Sequence, residues 1–291
     1  MAGNSDLQKR IEQIEEDIKT ALERMPEYEK LLAMYRESLV AQAEAREKIA
    51  PVEADMDENQ AAVCISSGLA LLGETEVTLD KDTAVELYMK LGEIASKHGE
   101  DFAEEVAKIN GKVDAGKIDI GAVLEEVFSG GSAEDLKKKV MDLDLDGHVF
   151  ASLVFASIRP NLELYSEKLR PLVKDDDWEK KSCPVCGRLP YISKLVQKEG
   201  KRMLCCPACS TEWRFPRLKC VNCGTIEHDK LRMLYPEDEP RDRYADVCDN
   251  CRRYLKAIDT RELARSPIMQ IADAATLHID MLAQREGFVT L

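Results

Sequence analysis

A chain of 291 residues, 44% hydrophobic and 33% charged, can build one large domain and a smaller one, and its lack of low-complexity tracts excludes wholesale disorder. The net charge of −14 is uneven, at −18 over residues 1–180, +6 over 181–257 and −2 over the remainder. An acidic body repels phosphate and argues against a general nucleic-acid binder, and no apolar run is long enough for a transmembrane helix.

Residues 5–24 place Leu7, Ile11, Ile14, Ile18 and Leu22 at spacings of three and four, which predicts an amphipathic helix. Pro26 opens a second one, with Tyr28, Leu31, Leu32, Tyr35 and Leu39 on its apolar side. Pro51 ends that pattern. The run at 59–72 predicts a buried helix, in which Cys64 is a core residue because no cationic neighbour would stabilise its thiolate. A helix is expected over 81–97, with His98 beside its C-terminal dipole, and shorter ones over 101–109 and 118–128. Gly130-Gly131-Ser132 and Asp135 then mark a turn and a capped helix start.

Asp142, Asp144, Asp146 and Gly147 match the first half of an EF-hand loop. The twelfth position is Leu153, where a calcium site needs a bidentate Glu, so the expectation is a helix–loop–helix junction with a capping carboxylate. Residues 147–170 read as a buried helix kinked or broken near Pro160. Pro171 and the run Asp175-Asp176-Asp177 make a linker.

Beyond it come four Cys-x-x-Cys pairs: Cys183 and Cys186, Cys206 and Cys209, Cys220 and Cys223, Cys248 and Cys251. Eight thiols in four pairs are the complement for two tetrahedral four-cysteine sites, closed to substrate. The polar start of the chain, without an apolar leader, predicts a cytoplasmic protein, where reduced thiols favour metal over disulfides. Consecutive pairing is expected, because Gly187 and Gly224 follow the first pair of each set and permit the positive φ of a rubredoxin-like knuckle. An interleaved arrangement is the alternative. As thiolates around two divalent ions, the cysteines bring the local charge of +6 down to about +2. Hairpins are expected over 191–205 and 231–247, with Cys205 packed away from the metal that Cys206 faces, and with Trp213 and Phe215 over the junction. His228 is not needed as a ligand. A short helix is predicted from Asp249 through Tyr254 and Leu255, and a final one from Pro267 through Leu282.

The predicted fold class is α+β and multidomain. It comprises an all-α domain over 1–178, rubredoxin-like or zinc-ribbon modules over 179–217 and 218–258, and a C-terminal helix in 259–291 folding back onto the helical domain. The cysteine segment resembles the formate dehydrogenase accessory proteins of the FdhE type. The residues that carry the resemblance are Cys183-Pro-Val-Cys-Gly187, Cys206-Pro-Ala-Cys-Ser-Thr-Glu-Trp213, Arg217-Leu-Lys-Cys-Val-Asn-Cys223, Cys248-Asp-Asn-Cys-Arg-Arg-Tyr-Leu-Lys256 and the tail Leu282–Phe288. The resemblance implies a cytoplasmic assembly factor that binds the catalytic subunit of a molybdenum- or tungsten-dependent formate dehydrogenase and helps activate it. It also implies two divalent metal ions, zinc first and iron as the alternative, on the eight paired cysteines. Competing classes are a rubredoxin-like redox protein and a zinc-ribbon protein that binds nucleic acid. No catalytic residues are assigned, since the chain has neither an H-E-x-x-H motif nor a P-loop nor a Ser-His-Asp set.

Overall fold

The computed structural model describes residues 2–291, which divide into two compact units. The first unit, residues up to Asp55 together with Thr75–Lys168, is entirely helical. Its elements are α1 (Ala2–Arg24), α2 (Glu29–Lys48), α4 (Lys81–His98), α5 (Glu100–Asp114), α6 (Ile120–Phe128), α7 (Ala133–Met141) and α8 (Gly147–Leu169); α3 (Glu58–Ser67) lies in the other unit. The centre of each of the first apolar stripes is buried. Ile14 and Ile18 of α1, Leu32 and Leu39 of α2 and Leu87, Leu91 and Ile94 of α4 enter the core, where α4 packs on α2, α5 and α6. His98 ends α4, with its Nε2 3.1 Å from Glu37 Oε1.

Helix α8 runs through Pro160 without the break that was one expectation there. A proline there has no N–H for the carbonyl four residues earlier, that of Ala156. Gln42 of α2 supplies the missing donor, its Nε2 lying 2.8 Å from Ala156 O. Replacing Gln42 with Leu should therefore destabilise this unit by about 1–3 kcal/mol, the cost of a buried unsatisfied carbonyl. Urea melts of Gln42→Leu alone and together with Pro160→Ala will check this, because restoring the N–H should recover most of the loss.

The three carboxylates at 142–146 do not converge as a metal site among the described residues. Asp142 is the C-cap of α7. Asp146 Oδ1 accepts from His148 N (2.7 Å) and Val149 N (3.1 Å) at the start of α8, and these bonds hold its carboxyl below the usual range.

The second unit comprises Met56–Glu74 and Leu169–Leu291. The run read as part of the helical domain thus belongs here. Helix α3 is capped by Asp57 and Gln60, ends at Gly68 (φ 72°) and leads into a short 3-10 turn, Leu71–Glu74. The sheet contains β1 (Ile192–Val196), β2 (Lys201–Cys205), β3 (Glu212–Arg214), β4 (Leu231–Leu234), β5 (Arg243–Cys248) and β6 (Arg253–Asp259), in the order β3-β2-β1-β6-β5-β4. Two further helices, α9 (Met269–Ala274) and α10 (Leu277–Arg285), precede β7 (Val289–Thr290), which adds to β6. The two expected hairpins are present, but parallel pairing of β1 with β6, from Ile192 opposite Lys256 to Leu195 opposite Asp259, joins both modules in one sheet.

Residues 253–259 form a strand, where a helix from Asp249 was expected. The run Tyr254–Ile258 is buried throughout, so it has no polar face to reveal its period. The C-terminal segment is also corrected. Folding back onto the helical domain was expected, whereas the segment belongs to the second unit and packs on this sheet: Ile279, Ala283 and Phe288 meet Ala245, Val247 and Tyr254, while Met269 and Ala272 meet Ile192, Cys205 and Ile258. The reason is electrostatic as well as apolar. Lys256, 4% exposed, is met by Asp273 Oδ1 at 2.8 Å and Asp280 Oδ2 at 2.6 Å, and Tyr254 donates to Asp280 Oδ1 at 2.8 Å. A buried ammonium needs carboxylates, and α9 and α10 bring them.

Candidate metal centres

Each Cys-x-x-Cys pair closes a tight turn whose next residue lies in the left-handed region. These residues are Gly187 (φ 77°), Ser210 (φ 55°), Gly224 (φ 76°) and Arg252 (φ 55°). Glycine takes this conformation without strain, and its presence made two of the four turns legible in the sequence. The other two, at Ser210 and Arg252, carry side chains and gave no such signal. The same backbone bonds recur across the turns: Gly187 N to Cys183 O (2.9 Å), Gly224 N to Cys220 O (3.0 Å) and Arg252 N to Cys248 O (2.8 Å). The first cysteine amide of three turns donates forward, from Cys183 to Arg188 O, Cys206 to Thr211 O and Cys220 to Thr225 O. Amides also point at sulfur, as from Cys186 N to Cys183 Sγ (3.5 Å) and Ala208 N to Cys206 Sγ (3.4 Å).

The sulfurs fall into two groups in consecutive order. Cys183, Cys186, Cys206 and Cys209 form one, and Cys220, Cys223, Cys248 and Cys251 the other, each with all sulfurs within 4.8 Å of one another. In the first group Cys183 Sγ is 3.6 Å from Cys209 Sγ, and Cys186 Sγ is 3.3 Å from Cys206 Sγ. In the second the pairs Cys220–Cys251 and Cys223–Cys248 are both 3.7 Å apart. Disulfide sulfurs would lie at about 2.05 Å, whereas four thiolates about 2.3 Å from a central ion stand about 3.8 Å apart. All ten cysteines are free thiols, and the two groups have the separations of a tetrahedral donor set.

The electrostatics suit a cation. Burial pushes the Cys183 and Cys209 thiols far above their usual value, while bonds from Cys183, Cys206 and Cys209 hold Cys186 well below it. In the second group burial pushes Cys220 up to about 12. Cys223 is brought down to about 6: its own burial opposes this, but the Asn250 side chain, the Thr225 amide and the neighbouring thiols outweigh it. Four clustered thiols thus resist complete ionisation by themselves, and a divalent ion at the centre removes that resistance. Each group could hold one metal ion.

Two polar contacts to sulfur escape the Cys-x-x-Cys pattern. Thr211 Oγ1 lies 3.0 Å from Cys209 Sγ, and Asn250 Nδ2 lies 3.4 Å from Cys223 Sγ. Cys205 sits at the end of β2 in the core against α9, and burial pushes its thiol up, away from the thiolate a metal would need. Trp213 is buried and donates from Nε1 to Lys180 O at 3.1 Å. Phe215 is buried between the Arg202 guanidinium and the Lys219 ammonium, 5.4 and 5.7 Å from its ring centre. Neither ring is free to stack on a base. Among the described residues, no helix is long and apolar enough to cross a membrane.

Residues 182–217 match a family model described as "FdhE, central domain". A protein FdhE homolog of Aquifex aeolicus is 33% identical over 137 residues, 45% of this chain and 46% of that one. A second homolog, from Stutzerimonas stutzeri, is 38% identical over 109 residues, 36% of this chain and 35% of that one. Protein FdhE of Escherichia coli is 36% identical over 114 residues, 38% of this chain and 35% of that one. In each case the match spans less than half the relative's length. The fold is like that of the crystal structure of the FdhE protein from Pseudomonas aeruginosa, with a TM-score of 0.59 at 20% identity, covering 97% of this chain and 93% of that one.

Proposed function

We propose, on the premise that this chain belongs to the FdhE family, that it is a cytoplasmic accessory factor that binds the catalytic subunit of a formate dehydrogenase and assists its maturation. The observation that carries this reading is the pair of four-cysteine groups, the first of which lies in the stretch that matches the family model. A four-thiolate site has no open position at which a substrate or an activated water could bind, so the reading includes no turnover of its own. Cys183, Cys186, Cys206 and Cys209 would hold one divalent ion, and Cys220, Cys223, Cys248 and Cys251 the other. When bound, zinc cross-links each knuckle pair, and iron does the same while adding a one-electron couple. The protein's part is to hold the sulfurs in register through the left-handed turns and the shared sheet, presenting a preformed surface to the partner.

Anaerobic affinity capture from the native host tests the partner. A molybdenum- or tungsten-containing formate dehydrogenase subunit should co-purify in amounts comparable to the bait; its absence from repeated captures sinks the reading. Metal analysis of the same preparation decides the ion. A red protein that bleaches on reduction would mean iron and favour a redox role, whereas a colourless one carrying two zinc equivalents would mean zinc.

A further inference from the structure

The two four-cysteine groups are alike in ligand type and turn geometry but not in surroundings. In the first, Cys183 is 0% exposed, Cys206 and Cys209 are each 1% exposed, and only Cys186 is partly exposed. Its first knuckle is clasped by another stretch of the chain: Leu71 N donates to Pro184 O (3.0 Å) and Leu72 N to Val185 O (2.8 Å). Ala70 lies against Gly187, leaving a Cβ there only 3.5 Å from the Ala70 methyl. Lys180 Nζ, from the segment leading to the knuckle, bonds Gly68 O at the end of α3 (3.1 Å). The segment 68–74 thus covers part of the first knuckle, next to the partly exposed Cys186.

The second group stands at the β4 end of the sheet, where Cys248 ends β5 beside the edge strand. Cys223 is exposed and Cys251 half-exposed. Cys220 and Cys248 also line a cavity of about 90 Å³ together with Lys219, Arg232 and Arg253. Its bonds to Cys223 Sγ come from the adjacent turns, including Asn250 Nδ2 at 3.4 Å.

We infer that the two sites divide the work: the first holds its ion permanently as a structural cross-link, and the second is an exchangeable site that can yield its ion to, or take it from, a competing thiol- or nitrogen-donor ligand at the Cys223 side. The inference rests on both groups holding a metal, not on the identity of any protein partner. Exchange here is a ligand substitution without redox change. The lone pair of the incoming donor would form a bond to the ion as the ion's bond to Cys223 breaks, and the released thiolate would keep its electron pair. The remaining sulfurs follow in turn. The first site offers no exposed sulfur at which this sequence can begin: its one partly exposed cysteine, Cys186, lies in the knuckle that the segment 68–74 clasps.

Purified full-length protein loaded with two zinc equivalents, challenged with excess pyridylazoresorcinol, reads this directly. That the protein takes up two equivalents tests the metal reading on its own; the release kinetics then test only the division. One equivalent should leave at least about tenfold faster than the other, a difference of about 1.4 kcal/mol in barrier. Cys220→Ala/Cys223→Ala protein, which keeps only the first set, should show the slow phase alone. Opening the clasp by Leu71→Pro, which removes the N–H donated to Pro184 O, should speed the slow phase and leave the fast one unchanged. Release of both ions in a single phase, or a fast phase that survives loss of Cys220 and Cys223, overturns the inference.

Discussion

Cys220→Ala/Cys223→Ala protein is expected to bind one metal equivalent where the unaltered chain binds two, with the helical unit still folded. The two groups share no sulfur, and each is closed by its own pair of turns. Structural zinc contributes about 10–16 kcal/mol in isolated zinc-finger peptides, so the loss should be felt strongly near the vacated site. The β4–β5 hairpin depends on it most, because Cys248 ends β5 and, among the described residues, β4 pairs with no other strand. Elemental analysis counts the ions, and amide hydrogen exchange locates the damage. Protection should fall in 231–248 and persist in α4 and α8. Retention of both ions, or loss of both, would contradict independent consecutive sites.

The second large effect is expected at Lys256. Replacing it with Met keeps the length of the side chain but leaves Asp273 and Asp280 facing each other without their shared cation. Removing one partner of a buried ion cluster costs about 3–5 kcal/mol, more than most single substitutions. The pH dependence has a definite sign. Burial already pushes the Asp273 carboxyl up, against the pull of Lys256. Without Lys256 that carboxyl rises further above its unfolded value, so the folded state takes up a proton more readily than the unfolded one. The deficit should be largest near neutral pH and shrink as pH falls through the raised value. Denaturant melts at several pH values check this, and adding Asp273→Asn and Asp280→Asn to Lys256→Met should recover much of the loss. A deficit that does not change with pH would show that lost packing, not the stranded carboxylates, causes the destabilisation.

Much of the candidate site was legible because Cys-x-x-Cys turns are local. Two sulfurs three residues apart meet without help from the rest of the chain, and glycine after Cys186 and Cys223 announces the left-handed residue such a turn needs. Helices with a polar outer face were legible for a similar reason, since their period is written in adjacent residues. The strand over 253–259 was not, because both its faces are covered and alternation disappears. Pro160 read as a break because the donor that repairs it, Gln42, lies more than a hundred residues away.

The sequence by itself determined the two classes of structure, the helices of the N-terminal half, the two hairpins and the eight paired thiols. These rest on contacts between near neighbours, where spacing dictates geometry. Tertiary structure alone decided what lies beside what. It fused the two modules through β1 and β6, sent α9 and α10 to the sheet that carries Lys256, and gave the segment around α3 to the first metal centre. An apolar stripe or an unpaired charge states that it needs a partner but not which one. That choice is made by long-range burial and charge matching, and here it leaves one four-cysteine site more deeply covered and the other open at Cys223.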